Sequence, residues 1–208
     1  MAHETENARL EMFCDGVFAI AITILILEIK VPPLQWINSA ADLWQQLLHL
    51  WPSLFAFILS FLLIFISWMG HHNLLRLLDK TSSRFQSING FFLFTVVIIP
   101  FCTALMAEYL NTEYAQPAVF TYCLTAGLLH SIAWRLLLIS SLHPVALTKS
   151  QADTAKLTVI LKGNLIGFIL NVIITATAWW FPYVAITMNL FLWVYWIYIT
   201  LKVKPGTQ

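Results

Sequence analysis

Apolar residues run along this chain in long blocks, and the polar residues collect between the blocks. Six stretches are apolar for about as long as a helix needs to cross a bilayer core, roughly 20 residues. They are Met12–Val31, Pro52–Leu75, Ile88–Met106, Ala118–Ser140, Leu157–Phe181 and Tyr183–Val203. This pattern predicts an all-α membrane protein with six transmembrane helices in a single domain over residues 1–208. Pro52 and Pro182 sit where helices begin, a position at which a missing N–H costs nothing. Pro100 falls inside the third stretch and is expected to kink it. Between the first two stretches, Leu43, Trp44, Leu47, Leu48 and Trp51 recur at helical spacing, so Pro32–Leu50 is expected to hold a short helix lying in the interface.

Composition makes a soluble fold untenable. Hydrophobic residues are 60% of the chain and charged residues 10%, with a mean hydropathy of +0.79. A soluble domain carries about 45–50% and about 25%. The net charge of +1 offers no field for nucleic acid. Cys14, Cys102 and Cys123 lie in or beside apolar runs, without metal-like spacing, and are expected to be buried thiols. The start, MAHETENARLE, is acidic where a signal peptide would be basic, and no small-residue cleavage site follows. The first stretch therefore reads as a permanent span.

The basic residues predict the orientation. Arg9 precedes the first span; Arg76, Lys80 and Arg84 follow the second; Lys149 and Lys156 follow the fourth; Lys202 and Lys204 close the chain. The alternate loops carry no Lys or Arg apart from Lys30 at an edge. By the excess of positive charge inside, both termini are cytoplasmic in a multi-pass protein of the cell membrane.

The candidate chemistry lies in the first span, RLEMFCDGVFAIAITILILEIKVP from Arg9 to Pro32. A carboxylate within a span costs about 2.5–3.5 kcal/mol on insertion scales, so Asp15 needs a partner or a function. On a helical wheel Phe13, Ile20, Ile24, Leu27 and Val31 share one face, and Asp15 points about 140° away from Ile20. The second span ends WMGHHNLLR, which brings Trp68, His71, His72 and Asn73 to the depth of Asp15. A hydrogen-bonded clamp between the helices is one reading of these residues, and proton sensing is another. Gly16 would let another helix come close. The aliphatic row of Ile20, Ile24 and Leu27 is by itself ambiguous, since such a row also suits lipid or packing.

Arg9, Phe13, Asp15 and Gly16 spell RxxxFCDG, and the segment that follows is VFAIAIT. This resembles the RxxxFSDG signature of the transmembrane protein 175 family, the potassium channels of lysosomes and their prokaryotic relatives. Cys14 stands where serine is usual. The resemblance implies a homotetramer whose first helices line a central pore. It places a constriction at Ile20, further layers at Ile24 and Leu27, and the Thr23 hydroxyl at the flank. The chain has no TVGYG-like loop and no acidic ring in the candidate pore. Selectivity would then come from a narrow apolar constriction that favours the more easily dehydrated potassium over sodium modestly and gates by dewetting.

Expected partners are three further copies, lipid and permeant monovalent cations; no cofactor and no nucleic acid are expected. HExxH, GxSxG and GxGxxG are absent, which argues against an enzyme. A secondary or proton-coupled transporter, or a non-conducting scaffold, is the alternative. A transporter would need a polar site at mid-membrane, to which only Pro100, Asn164 and Asn171 contribute. Arg135, near His130 and Trp134 in the fourth span, is expected to snorkel or pair, and Lys162, Asn164 and Asn171 to bond between helices.

Overall fold

The protein was analysed as a computed structural model, which describes the backbone over residues 2–202 and the side chains over residues 7–198. It is built of helices: α1 (Ala2–Ile24), α2 (Ala40–His49), α3 (Trp51–Leu77), α4 (Ser83–Val97), α5 (Ile99–Tyr109), α6 (Ala115–Tyr122), α7 (His130–Leu142), α8 (Gln151–Trp180) and α9 (Pro182–Lys202). Among the described residues, five segments are long and apolar enough to cross a membrane: Asn7–Glu28, Trp51–Leu77, Ser83–Tyr109, Ala115–Leu142 and Gln151–Trp180. The sixth expected span corresponds to α9, and its expected end at Val203 lies outside the described residues, as does Lys204.

Local signals set the helix boundaries. Ser39, Ser82 and Ser150 each accept a backbone N–H from three residues on, at 3.1–3.2 Å, and so cap α2, α4 and α8. Pro52 stands in the first turn of α3 and Pro182 opens α9 after the non-helical Phe181. The short helix expected between the first two spans is α2. Pro100 divides the third span into α4 and α5 at Ile98, because proline can neither donate to the ladder nor fit under the preceding turn.

Two local geometries depart from the sequence-based expectation. The first span does not stay α-helical to Val31. It tightens into a 3-10 turn over Leu25–Glu28 and then leaves the helix, so Val31 is exposed in an extended segment before Pro32 and Pro33. The fourth span is interrupted by a π-helical stretch over Cys123–Leu129, between α6 and α7. Such a stretch disturbs the regular pairing of carbonyls and amides. Here the Cys123 carbonyl accepts a bond from Thr175 Oγ1 of α8 at 3.1 Å.

The charged loops assigned to the inside meet at one end of the bundle. Asn7 donates to the Asp79 carbonyl at 2.9 Å, the Asp79 N–H bonds the Leu147 carbonyl at 2.9 Å, and the Lys149 N–H bonds the Leu77 carbonyl at 3.0 Å. A single β-bridge pairs Leu78 with Thr148. The start of α1, the α3–α4 loop and the α7–α8 loop are thereby joined. Arg135 reaches from α7 to the Leu161 carbonyl of α8 at 3.2 Å, so it pairs with backbone. Toward the opposite end, Tyr183 Oη donates to the Leu110 carbonyl at 3.0 Å.

Close packing of α8 on α9 rests on Gly167. A Cβ there would stand 2.7 Å from Trp196 Cζ2. Gly163, one turn earlier, has nothing within 4 Å of the same point. We therefore expect Gly167→Val to destabilise the purified protein by about 1–3 kcal/mol through overpacking. Gly163→Ala should unfold at the wild-type temperature or slightly above it. Thermal unfolding in detergent, followed by tryptophan fluorescence, distinguishes the two.

Candidate functional site

The helix α1 is buried on one side only. Cys14, Phe18, Ala21 and Leu25 are at most 2% exposed against the neighbouring helices. On the other side Phe13, Ile20 and Leu27 are 63%, 64% and 71% exposed, with Ile24 half-buried beside them. Residues three apart eclipse in a 3-10 turn, so the tightening at Leu25 keeps Leu27 over Ile24. Thr23 is on the exposed side, and its hydroxyl donates back to the carbonyls of Ala19 and Ile20 at 2.9 and 3.0 Å. Gly16 belongs to the same bare side and has nothing within 4 Å of a built Cβ. Within the chain it therefore brings no helix close. Arg9 is exposed at the start of this face.

The opposite side of α1 is held by polar contacts to α3 and α4. Trp68 Nε1 donates to Asp15 Oδ1 at 2.8 Å. One turn below, His72 Nδ1 lies 2.9 Å from Glu11 Oε1. The Trp68 and His72 rings stack with centroids 5.9 Å apart. The expected clamp on Asp15 is thus present, but its donor is the indole and not a histidine.

His71 points elsewhere because neighbouring residues on a helix are about 100° apart. Its Nε2 meets Asn89 Oδ1 of α4 at 2.7 Å, and Asn89 Nδ2 donates to Cys14 Sγ at 3.3 Å. The thiol at the unusual motif position therefore takes a hydrogen bond across the helices. With the amide oxygen of Asn89 facing it, His71 Nε2 is the donor, and the proton is assigned from this network. Phe18 and Phe92 flank the imidazole, each with centroids 5.6 Å away. Asn73 does not join the cluster; it is exposed on the edge of a cavity farther along α3.

Glu11, Asp15 and His72 are the one group of three metal-type donors among the described residues that lie within 4.8 Å of one another. Each carboxylate already has a partner in His72 or Trp68, so the group reads as an anchor. Asn89 and the pairing of Glu11 with His72 escaped the sequence reading. Nothing local in the sequence announces Asn89, since its role depends on how α4 is rotated. The Glu11–His72 pair was open to discovery, because Glu11 and Asp15 are four residues apart and share a face.

The comparisons extend this picture beyond the single chain. The sequence profile described as "Endosomal/lysosomal potassium channel TMEM175" matches residues 9–100. A potassium channel of Chryseobacterium sp. is 32% identical over 185 residues, covering 86% of this chain and 86% of that relative. The chain belongs to the TMEM175 family. Its named members are ion channels, not enzymes. A potassium channel of Chamaesiphon minutus is 45% identical over 130 residues, and this match spans 62% of each chain, less than two thirds of that relative's length. The crystal structure of a lysosomal potassium-selective TMEM175 homolog from Chamaesiphon minutus superimposes with a TM-score of 0.84 at 33% identity, covering 94% of this chain and 98% of that one. The TMEM175 profile runs from the first residue of the RxxxFCDG motif to Pro100, and so takes in the whole anchoring cluster.

Removing the indole donor tests the anchor. Trp68→Phe leaves Asp15 without its indole donor and should lower stability by about 1–3 kcal/mol, the usual cost of a lost charge-assisted bond with its acceptor left unpaired. In a double-mutant cycle with Asp15→Asn, thermal unfolding should report coupling of at least about 0.5 kcal/mol. Additive effects would separate the two residues.

Proposed function

We propose that the chain forms a potassium-permeable cation channel, with four copies arranging the bare faces of α1 around a central pore. The observation that carries this reading is the asymmetry of α1. Its polar contacts are all on one side, and the other side presents Phe13, Ile20, Ile24 and Leu27 with no covering helix from the same chain. Relatives named as potassium channels support the choice of ion. In this reading Ile20 is the narrowest layer, Ile24 and Leu27 form the layers beyond it, and Thr23 lies at the flank.

Six spans with both termini cytoplasmic are part of the proposal. The 21 residues of α9 are long enough, at about 1.5 Å per residue, to span about 30 Å. The joining of the start of α1 with the loops after α3 and α7 supports one basic, inner end. At the constriction an ion must shed water against alkyl groups. Potassium loses its shell more readily than sodium, so the preference is for potassium and is modest. A closed pore would be a dewetted one.

Single-channel recording checks the constriction. Ile20→Asn should raise conductance and change the potassium-to-sodium permeability ratio, because an amide replaces water at the narrowest point. An unchanged conductance and ratio would rule out Ile20 as the limiting layer. Native mass measurement of the purified assembly should give four copies.

A further inference from the structure

The cavity edged by Asn73, of about 460 Å³, lies between α3, α7, α8 and α9, and no α1 residue lines it. Its volume falls in the usual range for small-molecule sites, about 300–1,000 Å³. Three glycines line it, Gly70 of α3 and Gly163 and Gly167 of α8, and at Gly163 the position of a Cβ is open. Aromatic rings wall it, with Trp134 packed 3.5 Å from a built Cβ on Gly70 and Trp196 against Gly167. Its lining on α8 runs from Leu157 to Asn171, a length of about 21 Å at 1.5 Å per residue. The lining includes no Asp, Glu, Lys or Arg.

Within these apolar walls stand polar atoms that the protein does not serve. Trp193 is 7% exposed and its Nε1 donor has no partner. Asn171 is 4% exposed; its Nδ2 donates to the Gly167 carbonyl at 3.0 Å, and its unpartnered Oδ1 faces Gly127, 3.0 Å from a Cβ built there, and so points away from the cavity. Asn164 Oδ1 is likewise buried and unpartnered. All three residues line the cavity. These asparagines were expected to bond between helices, and Asn171 instead bonds within its own. His130, also in the wall, is already satisfied by Ser67 Oγ and Thr95 Oγ1, each at 2.8 Å. Unmet polar groups at membrane depth are costly. The unused Trp193 donor and the unused Asn164 acceptor are matched by a group that both accepts and donates, and the absence of charge in the walls selects a neutral one.

We propose that this cavity binds a neutral, hydroxyl-bearing apolar molecule of the long-chain alcohol type, one per chain, away from α1. The walls take the alkyl part, while the hydroxyl accepts from Trp193 Nε1 and donates to Asn164 Oδ1. The occupant touches Ser67 and Gly70, which flank the Trp68–Met69 step of α3, so its seat adjoins the anchor of α1. The site stands on its own geometry and does not depend on the channel reading.

Photolabelling of the full chain in phosphatidylcholine liposomes tests the site, with an octanol carrying a diazirine ring as probe. Adducts mapped by mass spectrometry should fall on cavity residues such as Gly70, Trp134 and Trp196, and excess plain octanol should reduce them several-fold. Gly163→Phe, whose new side chain enters open space, should abolish the octanol-sensitive adducts while oligomeric state and thermal unfolding stay at wild-type values. Asn164→Leu, which keeps the volume and removes an acceptor, should weaken the competition by octanol and leave octane as competitor unaffected. Adducts only on lipid-facing positions, or cavity adducts insensitive to octanol, would overturn the proposal, as would equal labelling of Gly163→Phe. Those outcomes correspond to a cavity filled by water or closed by another copy. If Gly163→Phe does not assemble, unaltered octanol competition in Asn164→Leu overturns the hydroxyl recognition by itself.

Discussion

A carboxylate on a membrane helix has to face a donor, and this requirement fixes the rotation of α1. Asp15 finds the Trp68 indole on α3 at 2.8 Å. With that bond in place, Cys14 and Phe18 turn into the bundle, and the face about 140° from Asp15 turns out of it. Glu11 with His72, and Cys14 with Asn89 and His71, act on the same side and in the same sense. Were α1 rotated by a third of a turn, Phe18 would lose its contacts with His71 and Phe92, and Asp15 would face hydrocarbon. The apolar stripe is set by what lies behind it as much as by its own residues.

The same rule governs the rest of the bundle, with two different results. At the π-helical stretch the disturbed backbone is repaired by a neighbouring side chain, Thr175 on the Cys123 carbonyl. The Ser60 hydroxyl sits between Thr103 Oγ1 at 2.6 Å and Tyr122 Oη at 3.1 Å, joining α3, α5 and α6. Polar atoms there are consumed by the fold. Around the α8–α9 cavity they are not, and Gly163 of α8 leaves open space in its wall.

Much of this was legible in the sequence. Block hydropathy located the long helices to within a turn or two, and Pro100 and Pro182 marked breaks that depend on one residue's covalent geometry. Trp68 and Asp15 were brought together by depth alone. His71 and His72 take different partners for a reason of equal simplicity: adjacent residues on a helix face different neighbours. The partner of His71 could not be read, because the rotation of α4 is set by packing over many residues. The π stretch has no local signature either; Cys123–Leu129 is an ordinary apolar run with one glycine. Extending the α1 face to Val31 assumed a constant 3.6-residue period, which the 3-10 turn at Leu25 does not keep.

Thr23 gives the bare face of α1 a sign. Its single hydroxyl proton is already directed at the carbonyls of its own preceding turn, as is common for threonine within a helix. Toward the outside the oxygen then has only lone pairs to offer. A cation arriving there meets an acceptor, whereas an anion meets no proton to share. In the proposed pore, an uncharged side chain would thus discriminate by charge through the direction in which its hydrogen is held.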